Sequence, residues 1–333
     1  MFKDIETYKA YLDKQEVNIL NIDEHNYFQH SKNGEVIIKN RDYNISAINV
    51  GNYTNCINWI LLKDNRTMAL LKRPFGDIYR DLSKEQYDIA LYNNILLPQI
   101  AKQFQNESAI YYIVEGNKLS NKMKHLLTID FKKENEELIH GEEILEKAGG
   151  DINELNIQNI IASIEKYLSN SGIKNQDIST IKREFIKQSL YNKFVKQSDE
   201  NNHNWGILIN REDNRARIAP IYDLDCCCDI GTLNKHFRTT QDGNKCSLSS
   251  LVKDFGKSKW FDRYLKEILE DFDLNKAIKD AKNITKIDIP EKIQNHYKNF
   301  FGERYYELKN AYQEYIQTQQ NMQEKEEKNI EER

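Results

Sequence analysis

Residues 198–229 read SDENNHNWGILINREDNRARIAPIYDLDCCCD, and this stretch decides how the rest of the chain is interpreted. It contains two apolar runs, residues 205–209 and 217–224, separated by a polar segment rich in turn-forming residues. This order is typical of a strand, a turn and a second strand. The predicted hairpin would bring Asn204, just before the first strand, close to Asp223 in the second run.

The polar residues around this hairpin match the needs of phosphoryl transfer. Mg²⁺ takes oxygen ligands, and Asp223 and Asn204 supply a carboxylate and an amide carbonyl. In protein kinases the catalytic acid precedes the metal-binding Asn by five positions, and Asp199 precedes Asn204 by the same distance. A D-x-x-x-x-N pattern is frequent by chance in a chain rich in Asn and Asp, so the spacing alone is a weak signal.

Two longer motifs make the signal more specific. HNWGILI at 203–209, followed by RIAPIYDLD at 217–225, resembles the catalytic segment of the HipA-like kinases, including the small CtkA-type serine/threonine kinases. The resemblance implies an α+β fold of the two-lobed protein-kinase type, with a small, mostly β N-lobe and a larger helical C-lobe. It also implies ATP and Mg²⁺ as cofactors.

Carried over by position, the resemblance makes Asp199 the catalytic acid/base, and Asn204 and Asp223 the magnesium ligands. These kinases often carry His two residues after the catalytic Asp. Here that position holds Asn201, and the His stands at His203. The departure puts the level of activity in doubt.

A second hairpin is predicted nearer the N-terminus, from INWILLK at 57–63 and MALLKRPF at 68–75. Lys72 ends its second strand, where kinases place the lysine that neutralises nucleotide phosphates. Lys63 is the weaker candidate for this role. The non-functional alternative is that Lys72 is simply an exposed lysine at the end of a strand. The loop before the hairpin contains a single glycine, Gly51, as the candidate phosphate-covering residue.

Residues 82–104 predict a helix in the position of the one that carries an acidic partner for the active-site lysine. Either Glu85 or Asp88 could pair with Lys72, and both also fit simple negative charge near the helix N-terminus.

Two further strands are predicted at residues 109–114 and 125–131. The resemblance places the connection between the lobes at the end of the second strand, so Thr128 and Asp130 are expected to line the adenine pocket. Backbone groups of such a connection can bind the adenine edge whatever their side chains.

The chain becomes helical beyond this point. Residues 177–197 carry the apolar stripe Phe185, Ile186, Leu190 and Phe194, which predicts a buried helix running into Asp199. Asp151 and Asp177 stand where helix caps are expected.

The predicted division of the chain has three parts. Residues 1–132 form the N-lobe, mostly β with one helix, and residues 133–318 form the helical C-lobe with the catalytic hairpin. Residues 319–333 have almost no apolar side chains and are expected to be a flexible tail.

The composition sets limits on partners. With 48 Lys and Arg against 52 Asp and Glu, the net charge is −4, which gives no strong field toward nucleic acid or an anionic membrane. The N-terminus has no apolar signal core, so a cytoplasmic location is expected. The 5 Cys residues form no C-x-x-C pair and are expected to be reduced.

Three functions fit these observations. The leading one is an ATP- and Mg²⁺-dependent kinase acting on Ser or Thr of a protein substrate, and the resemblance allows an antitoxin-like partner. A catalytically silent kinase fold that binds a nucleotide or a partner is the second. A lipid or small-molecule kinase is the third, although the chain lacks the basic cluster expected for phosphoinositides.

Overall fold

The computed structural model describes residues 36–37, 57–61, 68–72, 83–115, 125–133, 135–230, 237–238 and 246–331. Within these residues the protein is α+β, with two small sheets and mostly helical content. The strands are β1 (Val36–Ile37), β2 (Ile57–Leu61), β3 (Met68–Lys72), β4 (Tyr111–Glu115), β5 (His125–Ile129), β6 (Glu136–His140), β7 (Gly206–Asn210) and β8 (Arg215–Ile218). The helices are α1 (Lys84–Gln103), α2 (Gly141–Lys147), α3 (Ile157–Asn170), α4 (Asn175–Phe194), α5 (Leu248–Phe255), α6 (Lys259–Asp271), α7 (Leu274–Thr285) and α8 (Glu291–Glu331).

The first sheet has five strands in the order β1-β4-β5-β3-β2. The predicted N-terminal hairpin is confirmed, because β2 and β3 pair antiparallel with Ile57 opposite Lys72. The strands predicted at 109–114 and 125–131 are β4 and β5, which also pair antiparallel. Their apolar residues Ile113, Leu126 and Leu127 are fully buried, which is why these sequences form strands of a covered sheet.

Helix α1 begins with the capping box that the sequence indicates. The Ser83 hydroxyl accepts the Gln86 N–H, and the Gln86 side chain accepts the Ser83 N–H. The helix is buried from Ile89 to Ala101 with Pro98 inside it, so it forms part of the central core rather than an exposed layer.

The second sheet carries the hairpin predicted at 205–224. It has the order β6-β7-β8, with Ile207 opposite Ile218. The second strand ends earlier than the apolar run predicts, at Ile218. Strand β6, which pairs with β7 on the side away from β8, has no counterpart in the sequence prediction. The backbones of β6 and β7 approach closely at Gly206, where a Cβ would lie 2.6 Å from the Ile139 carbonyl oxygen.

The predicted caps of α3 and α4 are wrong. Asn156 caps α3 by accepting the N–H groups of Gln158 and Asn159, and α4 follows Lys174 without a side-chain cap. Asp177 instead accepts two hydrogen bonds from the Arg215 guanidinium, at 2.7 and 3.1 Å.

Helix α4 presents the expected apolar stripe to the core. Phe185, Ile186, Leu190 and Phe194 are all buried, and the Phe194 ring packs against Phe104 at 4.6 Å between centroids. The helix therefore ends inside the protein, a few residues before Asp199.

Helices α5 to α8 contribute buried residues to the same core. Helix α8 is 41 residues long, and its last buried residue is Tyr315. The helix continues through the segment predicted as a tail, where residues 320–327 are exposed; the flexibility of that segment stays a prediction. None of the helices in the described ranges is both long and apolar enough to cross a membrane.

Candidate functional site

The loop that carries Asp199 starts from the buried C-terminal end of α4. Arg304 of α8 donates hydrogen bonds to the carbonyl oxygens of Phe194 and Lys193, at 3.1 and 2.6 Å. Helix C-terminal carbonyls lack partners within the helix and carry partial negative charge, so the guanidinium stabilises this end. Burial lowers the pKa of Arg304. The start of the loop is held in place by these contacts.

Two asparagine amides hold Asp199. Asn201 Nδ2 donates to Asp199 Oδ1 at 2.8 Å, and Asn204 Nδ2 donates to the Asp199 carbonyl at 2.9 Å and to Oδ2 at 3.3 Å. Because its Nδ2 faces Asp199, the amide of Asn204 turns its Oδ1 the other way, where it can serve as a ligand. Asn201, through its hydrogen bond to Oδ1, orients the carboxylate.

A buried amide that sequence reasoning missed connects Asp199 to Asp223. Gln197 Oε1 accepts the Asp199 backbone N–H at 3.2 Å, and Gln197 Nε2 donates to the Asp223 carbonyl at 2.9 Å. Gln197 is 4% exposed, so water competes little for these bonds. One side chain thus sets the spacing between the predicted catalytic acid and a predicted metal ligand.

Contacts with β4 of the first sheet and with the residues before it also hold the Asp223 segment. Ile221, two residues earlier, pairs with the segment between α1 and β4 through the Ala109 N–H and the Glu107 carbonyl, both at 2.8 Å. The Asp223 N–H donates to the Tyr111 hydroxyl at 3.4 Å. Asp223 has φ +60°, a left-handed conformation that Asp tolerates better than most residues.

An aromatic pair joins the residues after β5 to the residues after β8. The rings of Phe131 and Tyr222 stack at 5.8 Å between centroids and an interplanar angle of 19°. The Tyr222 hydroxyl donates to the His203 carbonyl at 2.8 Å, and His140 Nδ1 lies 3.1 Å from the same oxygen. Burial lowers the pKa of His140. The pair lies directly beside Asp130 and Asp223 in the chain.

The two residues predicted at the adenine pocket have different surroundings. Thr128 is buried in β5 opposite Leu70 and Tyr111. Asp130 follows the strand, accepts the Lys132 N–H at 3.0 Å and forms an ion pair with Lys132 at 3.4 Å. Burial raises the pKa of Asp130, although Lys132 opposes this.

The residues predicted around the nucleotide phosphates are described by the structure only in part. Gly51 lies outside the described residues, and so does the side chain of Lys72, whose backbone ends β3 opposite Ile57. Glu85 forms an exposed ion pair with Lys292 of α8 at 2.9 Å. The acidic partner of Lys72 remains an open prediction.

Asp223 and Asn204 carry oxygen donors of the kind that Mg²⁺ takes. Among the described residues, no group of three or more His, Cys, Asp or Glu could hold a metal ion. Mg²⁺ in phosphoryl-transfer sites uses one or two protein carboxylates and completes its shell with phosphate oxygens and water. The Asp223 carboxylate and Asn204 Oδ1 correspond to that smaller set.

The thiols near the site are reduced, as expected for those that the structure describes. Cys226, Cys227, Cys228 and Cys246 are free and buried. Burial raises the pKa of Cys227 and Cys228 well above the ordinary thiol value, so both stay protonated and pack as apolar groups. The Cys226 carbonyl accepts hydrogen bonds from Ser198, which holds the segment after Asp223 against the start of the Asp199 loop.

Comparison with known proteins relates the fold to one kinase of known structure. No protein-family model and no curated protein matches the sequence. The crystal structure of the Helicobacter pylori proinflammatory kinase CtkA superposes with a TM-score of 0.57 at 14% identity, over 79% of this chain and 95% of that chain. The HipA component of a Shewanella oneidensis MR-1 toxin–antitoxin complex with HipB and operator DNA gives a TM-score of 0.47 at 14% identity, over 74% of this chain and 58% of that one. The protein therefore has an α+β fold similar to that of the kinase CtkA.

Proposed function

We propose that this chain is an ATP- and Mg²⁺-dependent kinase that phosphorylates Ser or Thr hydroxyl groups of a protein substrate. The observation that carries the proposal is the connection of Asp199, Asn204 and Asp223 through Gln197 and the Asn204 amide. Catalysis of phosphoryl transfer consists mostly of positioning and charge stabilisation, and this arrangement supplies both. The likeness to the kinase CtkA in fold supports the same class of activity.

Each residue of the proposed site has a separate role. Asp199 orients the acceptor hydroxyl and takes its proton as the γ-phosphoryl group moves. Asn204 and Asp223 would hold Mg²⁺, which would neutralise charge on the phosphates. Lys72 binds the nucleotide phosphates from β3.

The remaining parts of the site are proposed to hold the nucleotide. The backbone at Thr128 and Asp130 lines the adenine pocket, and Gly51 lies in the loop over the phosphates. In this proposal residues 1–132 form the N-lobe and residues 133–318 the C-lobe. A protein Ser/Thr acceptor and an antitoxin-like partner follow from the sequence resemblance.

A nucleotide-binding protein without transfer activity is the second candidate. The observation that favours it is the hydrogen bond from Asn201 to Asp199 Oδ1, which occupies an oxygen that an acceptor hydroxyl would need. Transfer would then require Asn201 to move when the acceptor binds.

The first prediction tests nucleotide binding. ATP should stabilise the protein only together with Mg²⁺, because Asp223 and Asn204 reach the phosphates mainly through the ion. At a ligand concentration a hundredfold above Kd, the gain in unfolding free energy should be about 2.7 kcal/mol. Thermal melts with ATP, Mg²⁺ and both measure it, and a combined shift no larger than the separate ones would contradict the proposal.

The same melts separate the two lysines of the N-terminal hairpin. Lys72→Met keeps a long apolar side chain but removes the charge. The melting temperature without ligand should therefore stay the same, while the increase in melting temperature on adding Mg²⁺ATP should become smaller. Lys63→Met is the matched control and should leave the shift unchanged. If Lys63→Met reduces the increase and Lys72→Met does not, the phosphate contact belongs to Lys63.

The second prediction concerns Gln197. Gln197→Leu removes both hydrogen bonds that join Asp199 to Asp223, and a misplacement of about 1 Å can lower turnover roughly 10²-fold. Gln188→Leu is the matched control, because Gln188 is also a buried amide and donates one hydrogen bond, to the Ala219 carbonyl. Rates of label transfer from γ-labelled ATP should fall much further for Gln197→Leu than for Gln188→Leu. Equal losses would show that Gln197 has only a general role in stability.

A further inference from the structure

Glu200, the residue after Asp199, is a buried carboxylate to which the proposed chemistry assigns no role. It forms an ion pair with Lys193 of α4, and the two side chains are 0% and 7% exposed. Glu200 Oε2 also accepts the backbone N–H of Phe237 at 2.9 Å. Burying a charge pair carries a large desolvation cost, and in some proteins such pairs are retained because they specify one arrangement of the chain.

Phe237, which with Arg238 lies between two stretches that the structure does not describe, contacts the catalytic loop through its N–H. Its ring is 2% exposed and lies 5.9 Å from Phe185, which in turn packs against Trp205 at 4.8 Å. Phe237 also lines, with Asp199 and Asn204, a small cavity of about 20 Å³ behind the loop. The side chain of Phe237 therefore anchors its segment directly under the proposed active site.

The next residue, Arg238, is held by the residues before α3. The Arg238 N–H donates to the Leu155 carbonyl at 2.7 Å, and the Ile157 N–H donates to the Arg238 carbonyl at 2.9 Å. The catalytic loop also contacts the residues before α3, because Asn202 Nδ2 donates to the carbonyls of Ile152 and Glu154, both at 2.9 Å. Residues 237–238 are thus enclosed between the catalytic loop and the residues before α3, and the Arg238 side chain is exposed.

We propose that Glu200 is a positioning residue that fixes residues 237–238 against the catalytic loop, so that this segment forms the surface on which the acceptor is held beside Asp199. The inference rests on the proposed kinase function. Lys193 holds the buried Glu200 carboxylate in position, and the carboxylate in turn holds the Phe237 N–H in position. Loss of this hydrogen bond should impair use of the acceptor and spare nucleotide binding.

The test compares two double variants that differ in one property. Removal of Glu200 alone would leave the Lys193 charge buried without this partner, which would strongly destabilise the fold. Lys193→Met with Glu200→Gln removes both charges and keeps a side-chain carbonyl that can accept the Phe237 N–H. Lys193→Met with Glu200→Leu removes both charges and the acceptor.

The Leu-containing variant is expected to lose about tenfold to hundredfold in kcat/KM for the acceptor, while the Gln-containing variant retains most of it. Both should keep the wild-type Kd for Mg²⁺ATP. Hydrogen exchange at the Phe237 amide should be faster only in the Leu-containing variant. Equal acceptor kcat/KM in the two variants, or equal exchange at Phe237, would overturn the inference.

A single variant controls for general effects at the end of α4. Lys196 forms an exposed ion pair with Asp229 at 3.0 Å, so Lys196→Met removes a contact between the same two segments outside the core. It should change neither acceptor kinetics nor exchange at Phe237. If wild type binds no Mg²⁺ATP and transfers no label, the proposed function fails, whereas the exchange comparison still decides whether Glu200 holds the segment.

Discussion

Asp199→Asn is expected to lower the rate of γ-phosphoryl transfer by about 10²- to 10⁴-fold, the usual contribution of general acid–base catalysis. The substitution keeps the size of the side chain but removes the carboxylate that would take the acceptor proton. Nucleotide binding should persist, because the metal is assigned to Asn204 and Asp223. The loss should therefore appear in kcat, with little change in Mg²⁺ATP affinity.

The measurement is transfer of labelled γ-phosphate to the protein itself or to a generic Ser/Thr substrate at saturating Mg²⁺ATP. Asp229→Asn is the matched control, because it makes the same change at an exposed carboxylate paired with Lys196. Asp223→Asn should lose both transfer and metal-dependent nucleotide binding. If wild type binds Mg²⁺ATP but transfers no more label than Asp199→Asn, the protein is a nucleotide-binding scaffold.

Gly141→Ala is expected to destabilise the protein strongly for so small a substitution. A Cβ at Gly141 would lie 2.2 Å from Trp205 Cε2, so the indole would have to move. Trp205 is 5% exposed and donates from Nε1 to Asn202 Oδ1 at 3.0 Å, which leaves it little room. Overpacking of this kind costs about 1–3 kcal/mol of unfolding free energy.

Because Trp205 follows Asn204 in the chain, the same substitution should also lower transfer activity in the fraction that remains folded. Urea unfolding and label transfer measure the two effects. Gly302→Ala in α8 is the control and is expected to increase the unfolding free energy. A Cβ there meets no neighbouring atom within 4 Å, and Ala is favoured over Gly inside a helix by about 0.5–1 kcal/mol. An unchanged unfolding midpoint for Gly141→Ala would mean that Trp205 is not confined as the structure describes.

The local elements of this protein follow from its sequence. The pairing of β7 with β8, the hairpin of β2 and β3, and the buried stripe of α4 all agree with apolar periodicity. Such elements depend on residues a few positions apart, so a single sequence contains the information. The five-residue spacing of Asp199 and Asn204 belongs here too, because one short loop brings the Asn204 amide to the Asp199 carbonyl.

The helix caps show where local reasoning stops. Asp177 has the residue type and position of a cap, but the nearby guanidinium of Arg215 offers it two charge-assisted hydrogen bonds. Strand β6 was missed for a similar reason. Its sequence, EELIH, is a strand because β7 lies beside it, and its own pattern of side chains does not indicate one.

The sequence by itself determined the types of residue at the candidate site, their order, and the hairpin that carries them. Only the tertiary structure decided which buried groups hold them: Gln197 reaches a carbonyl 26 positions away, and Glu200 an amide 37 positions away. Gln and Glu are ordinary surface residues by composition, and no spacing distinguishes these two from the others. Their roles arise because folding removes them from water, where each buried polar group must find a partner wherever the packed chain provides one.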